Sequence, residues 1–195
     1  DQPTRRKEFN KEGATPIAAP VAPSLDVSAR KQHKKKPRGL PIFEYQDRGF
    51  KWVVENHTLE TMKEFENGVL TVDVNDVKEQ VYIYNCEGIT VKINGKFKNL
   101  TLDKCEKCAV VYDTLISSTE VVNCEKIQLQ VNGICPVFTI DKTSNILIWL
   151  SEEAKAVSTF STSLSSEMNV SFPDGDDEKE CPIPEQFVHK ISNAT

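Results

Sequence analysis

The 195-residue chain has no apolar run near the roughly 18 residues of a membrane span. Its apolar runs are short, such as Ala109-Val110-Val111-Tyr112. The opening Asp1-Gln2-Pro3-Thr4-Arg5-Arg6 has no apolar segment of the kind a secretory leader needs. Both absences point away from a secreted or membrane-inserted protein, and the start without Met points to a piece of a longer chain. No arginine follows Arg48. Residues 49–195 therefore cannot insert a guanidinium into a phosphoryl-transfer site. His33, His57 and His189 are scattered, and neither a Gly-rich phosphate loop nor Gly-x-Ser-x-Gly occurs. No pair of carboxylates stands out for acid–base work. The expectation is a protein without catalytic residues, metal or cofactor.

What is present is uneven in charge. The net charge of -5 divides into +6 over residues 1–40 (ten Lys/Arg, four Asp/Glu) and -11 over residues 41–195 (fourteen against twenty-five). Pro16, Pro20 and Pro23 break an Ala/Val stretch. The tract from Arg30 to Arg38 then holds six cations that repel one another. Residues 1–40 read as a flexible basic arm, and residues 41–195 as the folded domain. A basic arm can meet nucleic acid, membrane or an acidic protein, or serve as a solvated linker or nuclear-type address. Without an aromatic platform beside the cations, nucleic acid is not the expected partner.

The strongest signal is a repeat. Cys86, Cys105 and Cys124 lie 19 residues apart, each followed by Glu, and Thr143 lies one step further. One step back lies Asn67. Leu70, Val72 and Val74 match Ile89, Val91 and Ile93 at the same spacing. The intervening segments are rich in Val, Ile, Tyr and Thr and alternate with period two: Val81-Tyr82-Ile83-Tyr84, Leu100-Thr101-Leu102, Ile127-Gln128-Leu129-Gln130-Val131. A period near 20 built from short strands predicts an all-β parallel β-helix of five to six coils, roughly over residues 60–165. Equivalent side chains then stack into columns, apolar inside and polar outside. The strand-like Glu167–Phe172 falls beyond the last clear coil. It is expected to cover one open end or to pair with a second copy.

The cysteines allow three readings. One repeat position accounts for Cys86, Cys105 and Cys124 as a packed inner column. Cys105-x-x-Cys108 has metal-ligand spacing, but no second such pair completes a site. Redox chemistry is the third. Outside, Lys92, Lys96 and Lys98 form a basic strip, with Lys78, Gln80 and Tyr82 one coil earlier. That strip is either an ordinary solvated face or a docking surface for an acidic protein.

Four segments carry a resemblance: Lys51-Trp52-Val53-Val54-Glu55-Asn56, the run from Gln80 to Glu87, the run from Ser165 to Val170, and the run from Pro182 to Phe187. In order and spacing they resemble the C-terminal domain of adenylyl cyclase-associated proteins, over about residues 50–190. The arm also looks like a degenerate actin-binding motif of the WASP-homology type, in Phe9 to Thr15 and again from Leu25 and Val27 to Lys34. The resemblance implies a right-handed parallel β-helix that binds monomeric actin and prefers the ADP form. It implies faster exchange of ADP for ATP on subunits released by cofilin, in the cytoplasm and without covalent chemistry. Lys78, Gln80, Tyr82, Lys92, Lys96 and Lys98 are then the candidates for contact with acidic actin, Tyr82 as the aromatic anchor.

The resemblance also implies a homodimer formed through a C-terminal β-hairpin in residues 165–195. Met168, Val170 and Phe172 would lie on its first strand as an otherwise unpaired edge, and Phe187 would lead into its second strand. Two other classes compete. Tubulin-folding cofactor C shares this domain type and stimulates GTP hydrolysis with an arginine. Carbohydrate-active enzymes also use β-helices.

Overall fold

The computed structural model describes residues 38–188. Nearly all of the expected arm, with Leu25, Val27 and the WASP-homology-like segments, lies outside the described residues. In chain order the strands are β1 (Ile42–Gln46), β2 (Lys51–Glu55), β3 (Val69–Asp73), β4 (Gln80–Tyr84), β5 (Thr90–Phe97), β6 (Asn99–Asp103) and β7 (Ala109–Leu115). There follow β8 (Ser118–Val122), β9 (Glu125–Val131), β10 (Val137–Asp141), β11 (Ser144–Leu150), a short helix α1 (Glu152–Val157), β12 (Thr159–Ser163), β13 (Ser166–Asp174) and β14 (Asp177–Pro182). They form two walls. Wall A runs β1-β2-β4-β6-β8-β10-β12 and wall B runs β14-β13-β11-β9-β7-β5-β3. Every pairing between successive coils is parallel. The two antiparallel pairings are terminal, β1 on β2 and β14 on β13. This is the expected β-helix, with six strand pairs and about five full turns. It starts at Lys51 and ends at Asp174, wider than the 60–165 the repeat suggested.

Alternation sets what faces inward. Val81, Leu100, Thr119, Phe138 and Phe160 stack along wall A, and Leu70, Val91, Val110, Leu129, Ile148 and Val170 along wall B. These columns meet in one core. Thr119 is polar, yet it is satisfied within that core: its Oγ1 lies 2.7 Å from the Tyr112 hydroxyl and 3.4 Å from Cys135 Sγ.

The register holds at 19 residues through the middle, as in Gln80 opposite Asn99 and Ala109 opposite Gln128. It lengthens at both ends, to 29 for Lys51 opposite Gln80, 21 for Val69 opposite Thr90 and 22 for Ile146 opposite Met168. The sequence spacing of Leu70 with Ile89 is therefore not the pairing. Leu70 pairs Val91 and Val72 pairs Ile93. Asn67 likewise sits in a 3-10 turn rather than in the cysteine column.

That column turns out to be His57, Cys86, Cys105, Cys124, Thr143 and Ser165, where the chain passes from wall A to wall B. Glu87, Glu106, Glu125, Ser144 and Ser166 each donate an N–H to the carbonyl of the column residue one coil earlier. Left-handed residues bracket each such corner: Asn85 and Gly88, Lys104 and Lys107, Asn123 and Lys126, Lys142 and Asn145, Leu164 and Glu167. A left-handed non-glycine residue costs about 1–2 kcal/mol, so something at the corner must offset it. The column side chains do so by hydrogen bonding. Cys124 Sγ lies 3.2 Å from the Val122 carbonyl and 3.7 Å from that of Leu102, and it accepts the Cys105 N–H at 3.3 Å. Thr143 Oγ1 repeats the pattern with Asp141, Val121 and the Cys124 N–H, and Ser165 Oγ with Ser163, Ile140 and the Thr143 N–H. The column selects small side chains that both donate and accept, not merely small apolar ones.

A direct test follows. Cys124→Ser keeps all three partners and is expected to be near neutral. Cys124→Ala orphans the buried Cys105 N–H and is expected to cost about 1–3 kcal/mol in urea unfolding. If serine proves worse than alanine, the thiol is only filler.

Cys108 has a different reason. It occupies an inward column with Ile89, Ile127, Ile146 and Met168. The Cys105-x-x-Cys108 spacing thus arises from two neighbouring structural columns. Cys86, Cys105, Cys108, Cys124 and Cys135 are buried free thiols, and Cys181 is a half-buried one. Among the described residues no group of three or more His, Cys, Asp and Glu could hold a metal ion. Hydrogen bonding to the Cys108, Cys124 and Cys86 thiols, together with burial, pushes the Cys105 thiol well above its ordinary value.

Aromatic rings close the first end. Trp52 lies 5.6 Å from Phe43 and 5.2 Å from Tyr45, and Phe65 packs on Phe43 and His57. His57 bridges Thr61 and the Ile42 carbonyl at 3.1 Å each, and burial lowers its pKa. No helix among the described residues is long and apolar enough to cross a membrane.

Candidate functional site

The residues expected to form one strip are distributed over three surfaces. Gln80 and Tyr82 belong to β4 and project from wall A. Lys92 belongs to β5 and projects from wall B, between Thr71 and Val111. Lys78 and Lys98 are exposed on the return edge, where the chain passes from wall B back to wall A, and Lys96 is exposed near the end of β5, opposite Thr114 beyond a bulge in the strand. Tyr82 is therefore not an anchor beside Lys92. Strand alternation placed both outward, but the phase of the corners puts them on opposite walls.

On wall A, Tyr82 finds other neighbours. Its ring lies 6.0 Å from that of Tyr84 at 10° between planes. Lys51 Nζ sits 5.3 Å over Tyr82, and Lys104 Nζ sits 5.1 Å over Tyr84, distances at which a ring's quadrupole attracts a cation. Lys104 also donates to the Tyr84 hydroxyl at 3.1 Å, which raises the lysine pKa. Desolvation, helped by Asp103, pushes the Tyr82 hydroxyl up to about 12, so it stays protonated at neutral pH. The sequence reading named Tyr82 but missed Lys51, Tyr84 and Lys104. Tyr84 and Lys104 lie about one period apart, which is the signal that could have found the pair.

The return edge is built by backbone stacking. Gln80 N–H donates to the Phe50 carbonyl at 2.7 Å, Lys98 N–H to Glu79 at 2.8 Å, Ser117 N–H to Lys98 at 2.9 Å and Thr159 N–H to Pro136 at 2.9 Å. The loop carrying Lys78 is held by the buried Glu79. Its carboxylate accepts Trp52 Nε1 at 2.8 Å, Asp76 N–H at 3.0 Å and Asn75 N–H at 3.3 Å. Lys78 Nζ hangs 6.0 Å over the Phe50 ring.

The C-terminal segment also differs from expectation. Met168 and Val170 are buried in the last coil and Phe172 packs against the core, so they are not a free edge. The strand after β13 is β14, which precedes Pro184 instead of following Phe187. The sequence reading missed it because Asp177, Glu178, Lys179 and Glu180 carry no apolar alternation. The hairpin turns at Gly175, whose φ of +70° suits glycine. Phe187 itself is 74% exposed. A groove of about 350 Å³ lined by Leu150, Phe160, Val170, Phe172 and Ile183 lies at this end.

The fold and its surfaces define a two-walled parallel β-helix capped by an antiparallel strand at each end. Residues 40–195 match the family described as Adenylate cyclase associated (CAP) C terminal, and the chain belongs to the adenylyl cyclase-associated protein family. It is 34% identical over 171 residues to rat adenylyl cyclase-associated protein 2, covering 88% of this chain and 34% of that protein. It is 34% identical over 156 residues to human adenylyl cyclase-associated protein 1, covering 79% of this chain and 30% of that one. The chain thus spans about a third of the length of these relatives. The crystal structure of a cyclase-associated protein from Cryptosporidium parvum superposes with a TM-score of 0.70 at 33% identity, covering 80% of this chain and 90% of that one.

Proposed function

We propose that this chain is an actin-monomer binding module that favours ADP-actin and speeds replacement of its nucleotide by ATP, returning subunits released by cofilin to the polymerisable pool. The observation that carries this reading is membership of the cyclase-associated family over residues 40–195. The physics is a population shift. A partner opens a nucleotide cleft only to the extent that it binds the open form more tightly than the closed one. A stack of coils with one continuous core is stiff enough to hold such a difference. In this reading the chain works in the cytoplasm, performs no covalent chemistry, and meets acidic actin through lysines, Lys78, Lys96 and Lys98 first among them.

The test is release of a fluorescent nucleotide from ADP-actin. Micromolar protein is expected to accelerate release several-fold, and neither acceleration nor binding at that concentration would sink the reading. A tubulin-cofactor-like role in GTP hydrolysis is disfavoured, because no arginine follows Arg48.

The reading includes a homodimer. β12 and β14 end the two walls with one side unpaired, and the groove at that end is lined by Ile183 and Pro184, a few residues before the exposed Phe187 and Val188. Deleting residues 167–195 would not yield a folded monomer, since it strips the buried Met168 and Val170 from the core. The better variant is Phe187→Ser with Val188→Ser. Sedimentation is expected to show dimer dissociation at about tenfold lower dilution than for the parent, and an unaltered dimer would remove these residues from the interface.

A further inference from the structure

We propose that Cys105 and Cys108 form a reversible dithiol–disulfide site, oxidised by hydrogen peroxide that reaches Cys108 through a cavity at the corner between β6 and β7. The site is separate from the lysines offered for actin and does not depend on that reading.

Three observations carry it. First, the column that holds Cys108 does not require a thiol. Its other members are Ile89, Ile127, Ile146 and Met168, and a larger apolar side chain would continue it. Cys105 caps its corner, with Sγ 3.5 Å from the Asp103 carbonyl and 3.6 Å from that of Ile83. Cys108 Sγ stays within the same corner, 3.4 Å from the Glu106 carbonyl. Second, the two thiols are hydrogen-bonding neighbours. The bond with Cys105 holds the Cys108 thiol below its ordinary value, while Cys105 is pushed up. Cys108 is therefore the thiol that ionises first, and the thiolate is the nucleophile. Third, Cys108 lies beneath an opening. A cavity of about 360 Å³ is lined by Gly88, Thr90, Lys107, Cys108, Lys126 and Gln128. Cys108 is only 2% exposed, so a reagent that reaches it must be small. Lys107 pairs with Glu106 and Lys126 with Glu125, each at 3.1 Å, so the charges at the mouth are balanced. Both features favour a small uncharged oxidant over a bulky anionic disulfide.

The Cys108 thiolate attacks one peroxide oxygen, and the O–O bond breaks. The hydroxide released takes up the proton that Cys108 gave to solvent and leaves as water, with Cys108 as a sulfenic acid. The Cys105 sulfur then attacks the Cys108 sulfur and the S–O bond breaks. The hydroxyl leaves as water with the Cys105 proton. Two thiols lose two electrons between them, and one peroxide becomes two waters. The disulfide removes the S–H groups that face the Ile83, Asp103 and Glu106 carbonyls. Oxidation thus changes the hydrogen bonding of one corner, and a dithiol reductant restores it by exchange.

The experiment treats the complete chain with hydrogen peroxide under native conditions, in a Cys181→Ser background that removes the half-buried thiol. Remaining thiols are alkylated in denaturant, and the peptides are mapped by mass spectrometry. Two of the five buried thiols are expected to be lost to a Cys105–Cys108 disulfide and regained in dithiothreitol. Cys108→Ile, which continues the isoleucine column, is expected to leave Cys105 reduced. Thermal melts check that it folds, and Cys108→Ala serves if the larger side chain does not fit. Cys105→Ser keeps a hydroxyl at the corner and is expected to leave Cys108 carrying added oxygen with no disulfide. Five intact thiols after an exposure that oxidises Cys181 in the parent overturn the proposal. So does a disulfide from Cys105 to Cys86 or Cys124, or oxidation that occurs only once urea has unfolded the chain.

Discussion

Phe138→Ala is expected to lower stability by about 3–5 kcal/mol, the usual range for emptying a large aromatic site in a core. Phe138 is fully buried in β10. It stacks on Phe160 at 4.9 Å with 7° between the rings, and it lies opposite Thr119 on the other side. Within its column it follows a small polar residue, so the neighbours cannot easily collapse into the space. In a stack, each coil buries its face against the next, so a cavity here also loosens what lies beyond it. The last coil, β12 and β13, should therefore lose amide protection first. Urea unfolding and hydrogen exchange measure both effects. A loss below about 1.5 kcal/mol, or protection lost evenly along the chain, would show that the coils do not depend on one another in this way.

Glu79→Ala is expected to cost about 2–3 kcal/mol. The buried carboxylate accepts from the Trp52 indole and from two backbone N–H groups, and alanine leaves those donors facing a void. Stability and function are linked at this point. The clamped loop presents Lys78, one of the lysines proposed to meet actin, so in that reading Glu79→Ala should also weaken actin binding through the loop. Glu79→Gln keeps the acceptor oxygen and should recover part of both losses. If binding falls equally in the alanine and glutamine variants while stability does not, the carboxylate charge itself takes part in recognition and the clamp account is wrong.

Much of the fold was legible because it is written locally. Alternation marks which side chains point inward, and a 19-residue recurrence of Cys-Glu is visible without coordinates. The candidate site was less legible. Lys92 and Tyr82 are both outward by alternation, yet they occupy opposite walls. Repeat position marks Cys86, Cys105 and Cys124 as a packed inner column but not its chemistry; hydrogen bonds of Cys124 to Leu102, Val122 and Cys105 show why Thr143 and Ser165 can succeed them. Met168 and Val170 read as an open edge, but they lie in the last coil because β14 covers β13.

By itself, the sequence determined that this chain winds into stacked coils, since short alternating strands recurring every 19 residues bury their valines and isoleucines when equivalent positions stack. Only the tertiary structure decided which outward residues are neighbours and where the winding ends. That depends on the left-handed corners and on the extra residues near 61–68 and 152–157. A short insertion there leaves the local pattern intact but shifts everything stacked upon it.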